Sequence, residues 1–170
     1  MSSIGITPFN RVYLSSLDAS RHAADALVLY WSEIGINRDV QGQLELCVVE
    51  MVNNAFLHAY QGIEGRPITV QCKMLESESA SILTLVIEDE GQAMTQRQLI
   101  QALTSDFVEP DPEDESTWTT SGRGFIIVSN LMDEVTMDIE PEKNRFLMQK
   151  KLKPEEINNT TVSQLSLIHI

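Results

Sequence analysis

Gly122-Arg123-Gly124-Phe125-Ile126-Ile127-Val128-Ser129 sets two glycines around one arginine and runs straight into an apolar stretch. Glycine lets a backbone take positive φ and approach an anion closely. A helix starting there aims unpaired N–H groups and the positive end of its dipole at one point. The string therefore reads as a phosphate grip leading into a helix that ends near Met132, although a tight loop-to-helix turn is the plainer alternative. It is neither a Walker loop nor a dinucleotide fingerprint, because no Gly-Lys-Ser and no G-x-G-x-x-G occurs.

Upstream of that string, Thr104 to Ser121 has little apolar periodicity, holds Pro110 and Pro112, and is rich in Asp and Glu. A loop of this length inside a compact domain is usually functional or disordered, and it could close over a nucleotide as a lid. A short helix is expected before it, from about Thr95 to Leu103. Earlier still, Ile82-Leu83-Thr84-Leu85-Val86-Ile87 reads as a buried strand running into Glu88-Asp89-Glu90-Gly91. Such a strand end places a carboxylate at the sheet's rim, where Asp89 could accept a hydrogen bond from an exocyclic amine. An ordinary acidic turn is the alternative.

Glu50, Asn54 and His58 recur at i, i+4 and i+8 on a helix expected from about Asp39 to Tyr60. On an ideal helix they share an arc of roughly 80°, while Leu44, Val48, Met51, Val52, Ala55, Phe56 and Ala59 form the opposite, packing face. A solvated face would account for the polar stripe. A site would account for it too, and for the poor helix formers Asn53-Asn54 in mid-helix. A side-chain carbonyl is a hard oxygen ligand suited to Mg²⁺. A carboxylate one turn away could take a proton from an attacking hydroxyl or water.

Around these patches, Arg11-Val12-Tyr13-Leu14 reads as a first strand. Ser16 or Asp18 is expected to cap a helix from about Ala19 to Ile34, closed by Gly35. Ile68, Val70, Cys72 and Met74 alternate with more polar residues, which predicts a strand paired as a hairpin with Ile82 to Glu88. Two closing strands, about Glu134 to Ile139 and Arg145 to Leu152, flank the turn Pro141-Glu142-Lys143-Asn144. The expected fold class is α/β (α+β): a two-layer sandwich with a mixed, mostly antiparallel sheet covered on one face by helices. Residues 1–152 form the expected domain and 153–170 a C-terminal tail.

The net charge of −13 argues against direct nucleic-acid binding, which needs basic surface. No segment approaches the roughly 18 apolar residues of a membrane helix, and the start lacks signal-peptide character, so a cytoplasmic location is expected. Cys47 and Cys72 sit singly in apolar patterns and read as buried thiols.

The order of the patches resembles the GHKL (histidine kinase-like) ATPase superfamily, and in detail the anti-sigma factor serine/threonine kinases of the RsbW-like type. The likeness spans roughly Arg11 to Leu152. Glu50-Met51-Val52-Asn53-Asn54-Ala55-Phe56-Leu57-His58-Ala59-Tyr60 is similar to the family's N-box, Asp89-Glu90-Gly91 to its first glycine box, and Ser121-Gly122-Arg123-Gly124-Phe125 to its second. That resemblance implies a Bergerat-type fold with ATP and Mg²⁺ as cofactors. It implies Asn54 as the metal ligand, Glu50 as the catalytic base or water-orienting carboxylate, and Asp89 at the adenine amine. Gly91, Ala93, Gly122, Gly124 and Phe125 would line the nucleotide, with Arg123 near its phosphates. It further implies a homodimer that sequesters a sigma factor and phosphorylates a serine of a STAS-domain anti-anti-sigma protein.

Two departures stand out. Ala93 replaces the second glycine of D-x-G-x-G, where positive φ would cost about 1 kcal/mol. Asn144-Arg145-Phe146-Leu147 lacks the Gly-Thr that often completes the adenine pocket. These departures keep open a second reading, a nucleotide-binding partner-switching regulator that works by sequestration with little or no kinase activity. A regulator whose partner is not a sigma factor is a third. Arg21 is a candidate partner contact.

Overall fold

In the computed structural model, residues 7–77, 79–93, 95, 97, 100 and 121–157 are described. In chain order their elements are β1 (Phe9–Leu14), α1 (Ala19–Glu33), α2 (Arg38–Asn54), β2 (Pro67–Glu76), β3 (Ser81–Asp89), α3 (Ser121–Leu131), β4 (Glu134–Glu140) and β5 (Lys143–Leu152). The expected lid, most of the expected 95–103 helix, and residues 158–170 lie outside the described residues.

Period-two patterning builds the sheet. On β2, Ile68, Val70, Cys72 and Met74 are buried; opposite them on β3 and β5 stand Leu83, Leu85, Ile87, Phe146, Met148 and Leu152. These side chains share one core with Leu27 and Trp31 of α1, Leu44, Val48, Met51 and Val52 of α2, and Val128 of α3. That is the helix-on-sheet sandwich expected. The strand order is β1-β2-β3-β5-β4, and every described pair is antiparallel, where the sequence reading had allowed a mixed sheet. Two hairpins, β2–β3 and β4–β5, account for this. The second hairpin docks its later strand against β3, so no parallel neighbours arise. β3 is thus central, which explains its nearly unbroken apolar run: Thr84 and Val86 on its far face are buried as well.

Capping differs in part from expectation. Asp18 stands at the N-cap of α1 but makes no side-chain cap, whereas Asn37 caps α2 by accepting from the Val40 N–H at 2.9 Å. Gly35 closes α1 as expected, at φ 87°, a conformation cheap only for glycine. The described residues continue past Leu152. A 3-10 turn at Pro154–Glu156 leads to Ile157, which is buried and bridges Ile36. No helix among the described residues is long and apolar enough to cross a membrane.

Candidate functional site

The long helix α2 supplies the first part. Its buried back holds Leu44, Val48, Met51 and Val52, which leaves Glu50 half-buried on the flank. Asn54 is only 7% exposed, and its Oδ1 has no hydrogen-bond partner among the described residues. An orphaned buried acceptor costs roughly 1–3 kcal/mol, so its presence marks a place where a ligand can complete the site. The Nε2 of His58 is likewise buried and unpartnered.

The helix does not remain α-helical to Tyr60. Residues Ala55–Ala59 form a π-turn, with the Tyr60 N–H donating to the Ala55 carbonyl at 2.9 Å. The arc drawn for an ideal α-helix therefore holds for Glu50 and Asn54 but not for His58. Single π-turns inside helices are often found at functional sites.

Burial pushes the His58 pKa below its ordinary 6.5. The unfolded chain then binds a proton that the folded chain resists, so stability rises with pH in this range. As pH falls below 6.5 the protein should lose stability, until the lowered folded value is reached. Urea unfolding at pH 7.5 and 5.5 should show this loss, and His58→Asn should reduce it. Equal losses in both proteins would place the titration elsewhere.

The rim of the sheet supplies the second part. Asp89 ends β3, is 2% exposed, and lies opposite Asn144 on β5. Its Oδ1 accepts from the Asn144 amide at 2.8 Å and from the Gly91 N–H at 2.9 Å. Burial raises the Asp89 pKa, and those two hydrogen bonds oppose the rise. Tyr60 ties this rim to α2, since its hydroxyl donates to the Pro67 carbonyl at 2.6 Å and accepts from the Glu90 N–H at 2.7 Å. Sequence reasoning missed this pin, for which the only local signal was a tyrosine just past the helix. Beside the rim opens a cleft of about 470 Å³, lined by Glu90, Gly91, Ala93, Glu140, Lys143 and Asn144 among others.

One glycine segment closes on α2 and the other on the π-turn that follows it. A Cβ at Gly91 would lie 2.4 Å from the Ala59 carbonyl oxygen, and one at Gly124 would lie 2.8 Å from Glu50 Oε1. At Gly91 close packing against backbone, not positive φ, is the reason for glycine, whereas the atom nearest a Cβ at Gly124 is the end of the flexible Glu50 side chain. Ala93 likewise avoids positive φ, so the strain expected there is absent. The second glycine box is wound into α3, which already includes Ser121–Gly124, instead of forming a turn ahead of the helix. Phe125, expected to line a nucleotide, is a core residue: it is 1% exposed and packs on Phe146 with ring centroids 5.6 Å apart. The apolar period of α3 sends that ring inward. The expected Arg123 phosphate contact lies outside the described side chains. Arg21, expected as a partner contact, bridges α1 to α2 through Glu45 at 2.8 Å and also pairs with Asp25 at 3.2 Å.

The helix and its π-turn thus carry a carboxylate, an amide oxygen with no partner among the described residues and an imidazole, with a glycine segment packed at Glu50 and another at Ala59. Residues 14–150 match the Histidine kinase-like ATPase domain family. The chain belongs to that family. Membership in the histidine kinase-like ATPases implies an ATP site, as the resemblance had suggested.

Curated relatives are of similar length. The anti-sigma F factor of Clostridium novyi (strain NT) is 29% identical over 147 residues, covering 85% of this chain and 94% of that protein. The anti-sigma F factor of Oceanobacillus iheyensis is 25% identical over 145 residues, covering 84% and 92%. Among solved structures, the SiaB-SiaC complex from Pseudomonas aeruginosa aligns with a TM-score of 0.50 at 13% identity, covering 84% of this chain and 89% of that one. At that identity the likeness is one of fold.

Proposed function

We propose that this protein is an anti-sigma factor and an ATP-dependent serine kinase that phosphorylates a STAS-type anti-anti-sigma protein. The observation that carries the reading is the Asn54 Oδ1, partnerless among the described residues, on the helix and following π-turn against which Gly124 and Gly91 pack. The names of the relatives support the anti-sigma role.

The residues present fit a magnesium nucleotide. Asn54 Oδ1 is a hard oxygen with no partner among the described residues, of the kind Mg²⁺ takes beside waters and phosphates. Bound Mg²⁺ would neutralise charge on the phosphates and hold them in line. In this reading Asp89 accepts from the adenine amine, and Gly91 and Ala93 flank the base. Gly122, Arg123 and Gly124 serve the phosphates. Glu50 accepts the proton of the incoming serine hydroxyl as its oxygen forms a bond to the γ-phosphorus and the bond to ADP breaks. The protein acts as a homodimer, traps its sigma factor, and releases it when unphosphorylated antagonist competes.

Truncating the proposed base separates chemistry from binding. Glu50→Ala should keep Mg-ADP affinity within a few-fold while slowing phosphoryl transfer by about 10²–10⁴. Transfer at the wild-type rate would remove Glu50 from the role.

The test of the whole reading is incubation of the purified protein with γ-labelled ATP and a STAS-domain protein, with a serine-to-alanine STAS variant as control. Label on the serine supports the kinase. One structural observation keeps a second reading, sequestration without transfer: Asn144 and Gly91 already occupy one oxygen of Asp89. Stable capture of the sigma factor with no label on the serine would favour it.

A further inference from the structure

We infer that Tyr60 is a positioning residue: its hydroxyl sets the spacing between the metal end of the site, at Asn54, and the base end, at Asp89. The inference rests on the nucleotide reading above and deepens it.

The two ends belong to different layers. Asn54 closes α2 in the helical layer, and Asp89 closes β3 in the sheet. A nucleotide that bridges them needs a fixed distance between the layers, because linked groups gain from simultaneous engagement only when the spacing matches. Tyr60 stands across that gap. It is 5% exposed. Its hydroxyl donates to the Pro67 carbonyl at 2.6 Å, where β2 begins, and accepts from the Glu90 N–H at 2.7 Å, where β3 has just ended. Ile68 and Asp89, the chain neighbours of those partners, pair across the two strands. One oxygen thus holds both strand ends to the end of the helix.

The π-turn serves this tie. In an unbroken α-helix the Tyr60 N–H would bond the Phe56 carbonyl. Here it reaches back to Ala55 at 2.9 Å, and Phe56 takes the Gly62 N–H at 2.9 Å. The wider turn also sets Ala59 against the rim: its carbonyl accepts from the Gln92 N–H at 2.8 Å, and Gly91 leaves no room for a side chain beside it. The bonds to Glu90 and Gln92 therefore flank Gly91 and clamp residues 90–92 to the helix end that follows Asn54. Phenylalanine would keep the ring of Tyr60 but can neither donate nor accept. Only the two hydroxyl bonds would go.

Tyr60→Phe and a magnesium comparison isolate the role. ADP affinity of the purified protein is measured by calorimetry with Mg²⁺ and again with EDTA, for wild type and variant. Mg²⁺ should tighten ADP binding to wild type by about tenfold or more, since it joins the phosphates to Asn54. In Tyr60→Phe the base end shifts against Asn54, so the nucleotide engages one end at a time. The magnesium ratio should then fall to within about threefold of unity. A merely structural role would weaken ADP equally with and without Mg²⁺ and leave the ratio as in wild type. That result, or wild-type affinities in the variant, overturns the inference. Wild type that binds no ADP, or binds it without regard to Mg²⁺, overturns the underlying nucleotide reading instead. Should Tyr60→Phe not fold, Gln92→Pro carries the same test, since it deletes the other tie, the N–H bond to Ala59, from an exposed position.

Discussion

Asn54→Ala should abolish magnesium-dependent ATP use and, at the same time, make the nucleotide-free protein more stable. Both halves follow from one atom. Oδ1 is buried without a partner among the described residues, so the folded chain bears a desolvation cost of roughly 1–3 kcal/mol that alanine removes. Alanine also gains about 0.5 kcal/mol in helix propensity at this mid-helix position, against some lost packing. A net gain of about 1 kcal/mol would raise the melting midpoint by about 2–4 °C in a domain of this size. The same substitution removes the proposed magnesium ligand, which should cost several kcal/mol of nucleotide binding, roughly a hundredfold or more. Thermal melts with and without Mg-ATP read both effects: the variant should start higher and fail to shift. Wild-type turnover would take Asn54 out of the metal site. A lower starting midpoint would show that Oδ1 is satisfied in solution.

Gly91→Ala should be the most damaging single change at the rim. Its Cβ would sit 2.4 Å from the oxygen and 2.6 Å from the carbon of the Ala59 carbonyl. Those are backbone atoms, so no rotamer relieves the clash. The strand end and the π-turn must separate, which threatens the Gln92 N–H bond to Ala59 O at 2.8 Å and displaces the Asp89–Gly91 bond. Overpacking of this kind costs about 1–3 kcal/mol or more, and Mg-ADP binding should fall with it. Denaturant midpoints and calorimetry check the pair. A variant with wild-type stability would mean that the two segments do not press together as closely as described.

Much of the fold was legible because burial on one face is a local, periodic property. The alternation from Ile68 to Met74 gave the inward face of β2 directly, and the apolar back of α2 gave its packing side. The run from Ile82 to Ile87 read as a buried strand, although only its central place in the sheet explains why Thr84 and Val86 on the far face are shielded while Ile82 there is 42% exposed. The π-turn at Ala55–Ala59 was not legible. Nothing in that apolar stretch separates an α-turn from a slightly wider one, since both satisfy the same residues. Phe125 was misplaced for a related reason: its neighbours form a motif, but its ring answers to the core.

The chain's own order of residues determined the superfamily resemblance, the helix bearing Glu50 and Asn54, and the strand ending at Asp89. Tertiary structure alone decided which atoms meet. Gly91 belongs against Ala59 and Gly124 against Glu50 because separate elements press there. Asn144 came to hold Asp89, 55 positions away, through the register of β3 on β5. Periodicity records whether a side chain faces in or out. It carries no record of which partner waits on the neighbouring strand, because that depends on how distant segments align once the core has formed.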